Sequence, residues 1–201
     1  MEAVTEIVLA SGNRGKHAEL LPLFADHGLT LRPQDEFGIG PGPEDAPTFV
    51  ENALSKARHV ASATGRAALA DDSGLCVTAL DGAPGVHSAR FAGAHGDDAA
   101  NNALLLERLA GTRDRSAYFC CVLVLLRHAA DPLPLIAEGR WRGSIGHAPR
   151  GAGGFGYDPL FLDPSSGKAA AELSREEKSA ISHRGRAVRA LAPLLAVLAA
   201  Q

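Results

Sequence analysis

The sequence predicts an α/β protein, and three observations carry that reading. Two short apolar runs, Ile7-Val8-Leu9-Ala10 and Ala67-Ala68-Leu69-Ala70, each close in a polar, glycine-bearing stretch, as buried strands do at a sheet edge. Apolar residues three and four apart, after Lys16 and over residues 48–64, mark helix faces. Residues 117–126 form the strongest strand candidate in the chain. The 201 residues suit one domain, or two closely joined lobes, with ample core.

In chain order, Ile7–Ala10 runs into Ser11-Gly12-Asn13-Arg14-Gly15-Lys16. The helix after it carries Leu20, Leu21, Leu23 and Phe24 and stops near His27-Gly28. Strand, glycine loop and helix start together present N–H groups and a helix dipole to an anion. This is no Walker loop: the Gly-x-x-x-x-Gly-Lys-Ser/Thr spacing is absent, and His17 stands where the hydroxyl would. Leu29-Thr30-Leu31 predicts a second strand, and residues 33–47, rich in Pro, Gly and acid, an exposed loop. Its Asp35, Glu36 and Asp45 read as solvated. Residues 48–64 predict a helix with Phe49, Ala53, Ala57 and Val60 as its apolar stripe. Lys56 falls at the stripe's margin beside Asn52, where a lysine either snorkels to water or reaches into a cleft.

Ala70-Asp71-Asp72-Ser73-Gly74-Leu75 then reads as a strand end and a sharp turn. Adjacent aspartates repel unless a cation or basic groups offset them, and open α/β sheets bind ligands at that edge. Asp, Ser and Gly are also ordinary turn formers, so the hexapeptide alone leaves both readings open. Leu75-Cys76-Val77 follows as a strand. Asp97 or Asp98 caps a helix through Asn101, Leu104, Leu105 and Leu109, and residues 133–141 return antiparallel after Asp131-Pro132. From Asp97 to Gly146 the chain shows no catalytic signature and reads as scaffold.

Gly151-Ala152-Gly153-Gly154-Phe155-Gly156-Tyr157-Asp158-Pro159 sets two aromatic rings among four glycines. It fits a flexible loop with its aromatics tucked into the core, or a stacking platform for a flat ring beside Asp158. Ser174-Arg175-Glu176-Glu177 is a capping box opening a short helix with Lys178 in its second turn. Ser182-His183-Arg184-Gly185 and a last apolar helix follow.

Composition narrows the function classes. The net charge is −3, so no general basic field draws polymeric nucleic acid. Cys76, Cys120 and Cys121 lack the paired spacing of a zinc site and predict buried thiols in a reducing cytoplasm. Neither a signal peptide nor a membrane span is expected. Only four of the 20 basic residues are lysine: Lys16, Lys56, Lys168 and Lys178. A compact ammonium is a good point-charge partner for phosphate.

Six segments, in order, resemble the inosine/xanthosine triphosphate pyrophosphatase (Ham1-like) family, closest to its bacterial branch. They are Ser11–Lys16, Glu51-Asn52-Ala53 with Lys56-Ala57-Arg58, Ala70–Leu75, Gly82-Ala83-Pro84-Gly85, Gly153–Pro159 and Ser179–Gly185. The resemblance implies hydrolysis of the α–β anhydride of ITP, dITP or XTP to a monophosphate and pyrophosphate. It implies a single domain over residues 1–201, with a long mixed central sheet, helices and two lobes flanking an active-site cleft. It also implies Mg²⁺ and a homodimer. On this reading Ser11, Gly12, Asn13, Arg14, Gly15, Lys16 and Lys56 hold the phosphates, and Ser73 touches phosphate or ribose. Asp72 is the base and first metal ligand, with Glu44 the second by family alignment. Asp71 is left either to tune Asp72 or to bind metal through water. Phe155 stacks on the base within Gly156, Tyr157 and Asp158. Lys178, His183 and Arg184 donate to a 6-carbonyl where adenine has an amine. Two other readings compete: a Maf-type pyrophosphatase acting on pyrimidine triphosphates, and a nucleotide-binding module without hydrolysis.

Overall fold

The structure is a computed structural model describing residues 5–11 and 14–199, without the side chains of 14–16, 19, 23 and 196–199. Strand β1 (Glu6–Leu9) leads to helix α1 (Arg14–Asp26), β2 (Thr30–Pro33), α2 (Phe49–Thr64) and β3 (Ala67–Val77). Then come α3 (Asp98–Arg108), β4 (Ser116–Leu126), β5 (Leu135–Ile145) and β6 (Phe161–Leu162). Helices α4 (Arg175–Ile181) and α5 (His183–Ala199) complete the order. The hydrogen-bonded strand order is β2-β1-β3-β4-β5-β6. Strand β1 is parallel to β2 and β3, and β6 antiparallel to β5, so the expected mixed sheet is present.

Two compact units divide the chain. The first comprises Met1–Asp72, Cys121–Gly139 and Arg186–Gln201; the second comprises Ser73–Cys120 and Arg140–Gly185. The first unit's core gathers Ile7 and Leu9 of β1, Leu20 and Phe24 of α1 and Leu69 of β3. Leu123 and Leu125 of β4 and Leu191 and Leu195 of α5 join them. The second unit's core is aromatic: Phe161 lies 4.6 Å from Phe119 and 4.8 Å from Trp141, ring centre to ring centre. Trp141 is buried with its indole N–H donating to Asp163 at 2.9 Å, so its polar edge is satisfied. Burying one such large side chain contributes about 1.5–3 kcal/mol.

Local chemistry explains several helix boundaries. Thr48 caps α2 by accepting the Glu51 N–H, and Gly65 ends it in the left-handed region at φ 65°. Asp97 caps α3 by accepting the Ala100 N–H at 2.9 Å. The expected capping box forms: Ser174 accepts the Glu177 N–H at 3.1 Å, and Glu177 accepts the Ser174 N–H at 2.7 Å.

One expectation is corrected. Residues 71–74 make no turn; β3 runs unbroken through Asp71-Asp72-Ser73-Gly74 to Val77. All its residues except Ser73 are buried, and it has a hydrogen-bonded strand on either side. Ladder bonds and burial in a central strand override the turn preference of Asp, Ser and Gly. Strand β5 likewise continues past Trp141 to Ile145.

Candidate active site

The first unit builds one cluster of charged side chains on α2. Asn52 and Lys56, one helical turn apart, share the face that buries Ala53, Ala57 and Val60. The loop before α2 comes close because residue 42 is glycine: a Cβ there would lie 3.2 Å from the Lys56 Cα and 3.3 Å from the His59 Cβ. That approach delivers Glu44, whose Oε1 accepts from Lys56 Nζ at 2.6 Å. Lys56 Nζ also donates to Asp72 Oδ1 on β3 at 2.9 Å. Asn52 Nδ2 donates to the other Asp72 oxygen at 3.3 Å. Lys56 and Asp72 are buried and Glu44 is partly exposed. Asp71 is buried one residue earlier on β3, and successive strand residues alternate faces.

Glu44 and Asp72 both bind the Lys56 ammonium, and the Asp71 charge also acts on it. Burial disfavours the Lys56 charge, yet Asp72, Asp71 and Glu44 outweigh it and hold its pKa above the usual lysine range. Burial raises the Asp72 pKa; Lys56 opposes the rise, and Glu44 and Asp71 add to it. A carboxylate in that state is suited to take a proton. Among the described residues no three His, Cys, Asp or Glu side chains gather to hold a metal unaided. The donor set is two carboxylates converging on one cationic point.

The second unit builds a different site around the glycine loop. Phe155 is 48% exposed, so the ring is presented rather than tucked away. Lys178 Nζ lies 5.2 Å and Arg184 Cζ 5.9 Å from its centre. Asp158 is buried, pairs with Lys178 and accepts the Phe155 N–H at 2.9 Å. Gly154 is required at φ 73°, since a Cβ there would meet Asp158 Oδ2 at 2.0 Å. Gly156 is clamped from α3: its N–H donates to Asp98 at 2.6 Å, and its carbonyl accepts from Asn102 at 2.8 Å.

Tyr157 is buried in the second core and donates its hydroxyl to the Ser88 carbonyl at 2.9 Å; burial and then the Asp98 charge push its pKa up. It anchors the loop. His183, at the start of α5, is buried and stacks on Phe119 with ring centres 4.8 Å apart. Arg184 is buried beside it.

The structure therefore brings together Glu44, Lys56 and Asp72 in the first unit, and Phe155, Asp158, Lys178 and Arg184 in the second. Lys56 and Lys178, expected on phosphate and base, each rest on a carboxylate. Gly12 and Asn13 lie outside the described residues, as do the side chains of Arg14 and Lys16; Arg14, Gly15 and Lys16 form the first turn of α1. Ser11 precedes them, half-buried, with its N–H on the Leu9 carbonyl. Ser73 follows Asp72 on β3, half-buried. Sequence reasoning missed Asp98 and Asn102, which lie in the stretch read as scaffold, and gave Asn52 no role of its own.

Comparisons with known proteins identify the family. Residues 7–194 match the profile of the Ham1 family. A dITP/XTP pyrophosphatase of Aromatoleum aromaticum is 59% identical over 185 residues, 92% of this chain and 93% of its own length. A HAM1 protein from Coxiella burnetii superposes with a TM-score of 0.92 at 50% identity, over 96% of this chain and 100% of that one. A nucleoside-triphosphatase/dITP/XTP pyrophosphatase from Mycobacterium abscessus gives 0.79 at 45% identity, over 94% and 100% of the two chains.

Proposed function

Because this chain belongs to the Ham1 family, we propose that it hydrolyses dITP, ITP and XTP to the nucleoside monophosphate and pyrophosphate. The observation that carries the reading is Lys56, a buried ammonium joining Glu44 and Asp72, in a chain whose relatives are named dITP/XTP pyrophosphatases.

Each cluster has a task that its chemistry suits. Asp72, with its raised pKa, orients and deprotonates the water that attacks the α-phosphorus. Glu44 and Asp72 are hard oxygen donors brought to one point by Lys56, a set that fits Mg²⁺. When bound, Mg²⁺ supplies charge neutralisation for the phosphates and lowers the pKa of water. Lys56 keeps its proton and holds the two carboxylates in register, and with Lys16 it supplies cationic charge for the phosphate chain. Phe155 offers an exposed ring flanked by two cations, suited to a flat heterocycle bearing carbonyl acceptors. Lys178, His183 and Arg184 are donors toward a 6-carbonyl; an adenine amine would set a donor against them in its place, at about 1–3 kcal/mol per lost partner. The same reading takes the enzyme as a cytoplasmic homodimer acting on free nucleotides. Among the described residues no helix is long and apolar enough to cross a membrane.

A panel of triphosphates with Mg²⁺, scored for phosphate against pyrophosphate, tests this. Pyrophosphate release from dITP and XTP, with dATP, dTTP and UTP poorly used, is the expected result. Preferred turnover of dTTP or UTP would replace it with the pyrimidine reading. Tight triphosphate binding without pyrophosphate release would leave only a binding module.

A further inference from the structure

We infer that Asn52 is a positioning residue, whose amide sets the geometry of Asp72 relative to the loop that carries Glu44. The inference deepens the proposed hydrolysis and rests on the role given there to Asp72. Asn52 is 1% exposed, and its side chain makes three hydrogen bonds that leave its orientation no choice. Its Oδ1 accepts the Ala46 N–H at 2.9 Å. Its Nδ2 donates to the Ala46 carbonyl at 3.2 Å and to Asp72 Oδ2 at 3.3 Å. Because an N–H must meet oxygen and a carboxylate must meet a donor, the amide cannot be reversed. Ala46 is two residues beyond Glu44, so one rigid amide on α2 fastens the Glu44 loop and one oxygen of Asp72. The other Asp72 oxygen is left to Lys56. Outer partners that orient a ligand or base cost about 10–100-fold in metal affinity or activity when removed.

The two ends of the amide are separable by substitution. Asn52→Asp keeps an oxygen for the Ala46 N–H but sets an acceptor, not a donor, against Asp72 and the Ala46 carbonyl. Asn52→Ala removes both. The measurements are kcat and KM for dITP, and hydrogen exchange at the Ala46 amide without metal or nucleotide. For Asn52→Asp we expect Ala46 exchange near that of the native protein and kcat down about 10–100-fold, with KM little changed. For Asn52→Ala we expect faster exchange and a similar loss of kcat. Native kcat in both variants, or a loss confined to KM, would overturn the inference. Asp72→Asn, run alongside, separates the failures. If Asp72→Asn is inactive while both Asn52 variants keep native kcat, only the positioning role falls. If Asp72→Asn remains active, the reading of the whole cluster falls, and the role of Asn52 with it.

Discussion

Lys56 holds its ammonium against Glu44 and Asp72, and the burial of that pairing decides what each residue costs the fold. A carboxyl whose folded pKa is raised stabilises the protein only at low pH. The contribution is complete below the unfolded value of about 3.9 and is lost as pH rises through the folded value. Asp72 is such a group, its pKa raised first by burial, so at neutral pH its ionised form burdens the fold. Groups kept against stability are characteristic of working sites. Asp72→Asn is therefore expected to abolish pyrophosphate release and, relative to the native protein, to gain in Tm as pH rises. That relative gain should shrink as pH falls and native Asp72 takes its proton. A Tm difference that does not grow with pH would show that the Lys56 pair outweighs burial. For Lys56 itself the folded pKa is raised, so its contribution is complete across neutral pH and is lost only as pH rises through that raised value.

The glycine loop is held from α3 as well as by its own Asp158 and Tyr157. Asp98 and Asn102 grip the two polar groups of one peptide residue, Gly156, next to the exposed Phe155. A hydrogen bond to a charged acceptor is worth about 1.5–3 kcal/mol, tenfold or more in an equilibrium. Asp98→Ala should raise the KM for dITP about tenfold with a smaller change in kcat, and Asp98→Asn, which keeps an oxygen for the Gly156 N–H, should restore much of it. Steady-state kinetics on the two variants decide the matter, and an unchanged KM in Asp98→Ala would remove α3 from substrate binding. Elements with a local signal were legible in the sequence. The stripe of α2, the Ser174–Glu177 box of α4 and the apolar run of β4 each announce themselves within a dozen residues. The Asp71–Gly74 stretch was misread because its residue types favour turns, while the neighbouring strands that hold it straight are remote in sequence. Asp98 and Asn102 went unseen for a related reason: they reach Gly156 across 58 and 54 residues, and no periodicity reports so distant a bond.

At the scale of the molecule, the chain passes from one unit to the other at residues 72–73, 120–121, 139–140 and 185–186. Three of these passages fall inside β3, β4 and β5, and the fourth inside α5. Separable domains meet at exposed linkers, where few contacts are lost on parting. Here any division would cut strands and a helix, so the two cores are expected to melt as one. The composition supplies a clean probe, because Trp141 is the only tryptophan and belongs to the second core. Helices α1 and α2 lie in the first unit and weigh heavily in far-UV circular dichroism. Urea unfolding followed by Trp141 fluorescence and by ellipticity should therefore give coincident midpoints, the mark of a two-state transition. Separate midpoints would mean that each core stands alone despite the continuous strands. In that case Asp72→Asn, placed in the first unit, would shift the ellipticity midpoint and leave that of Trp141 fluorescence where it was. In the single-domain case it would move both together.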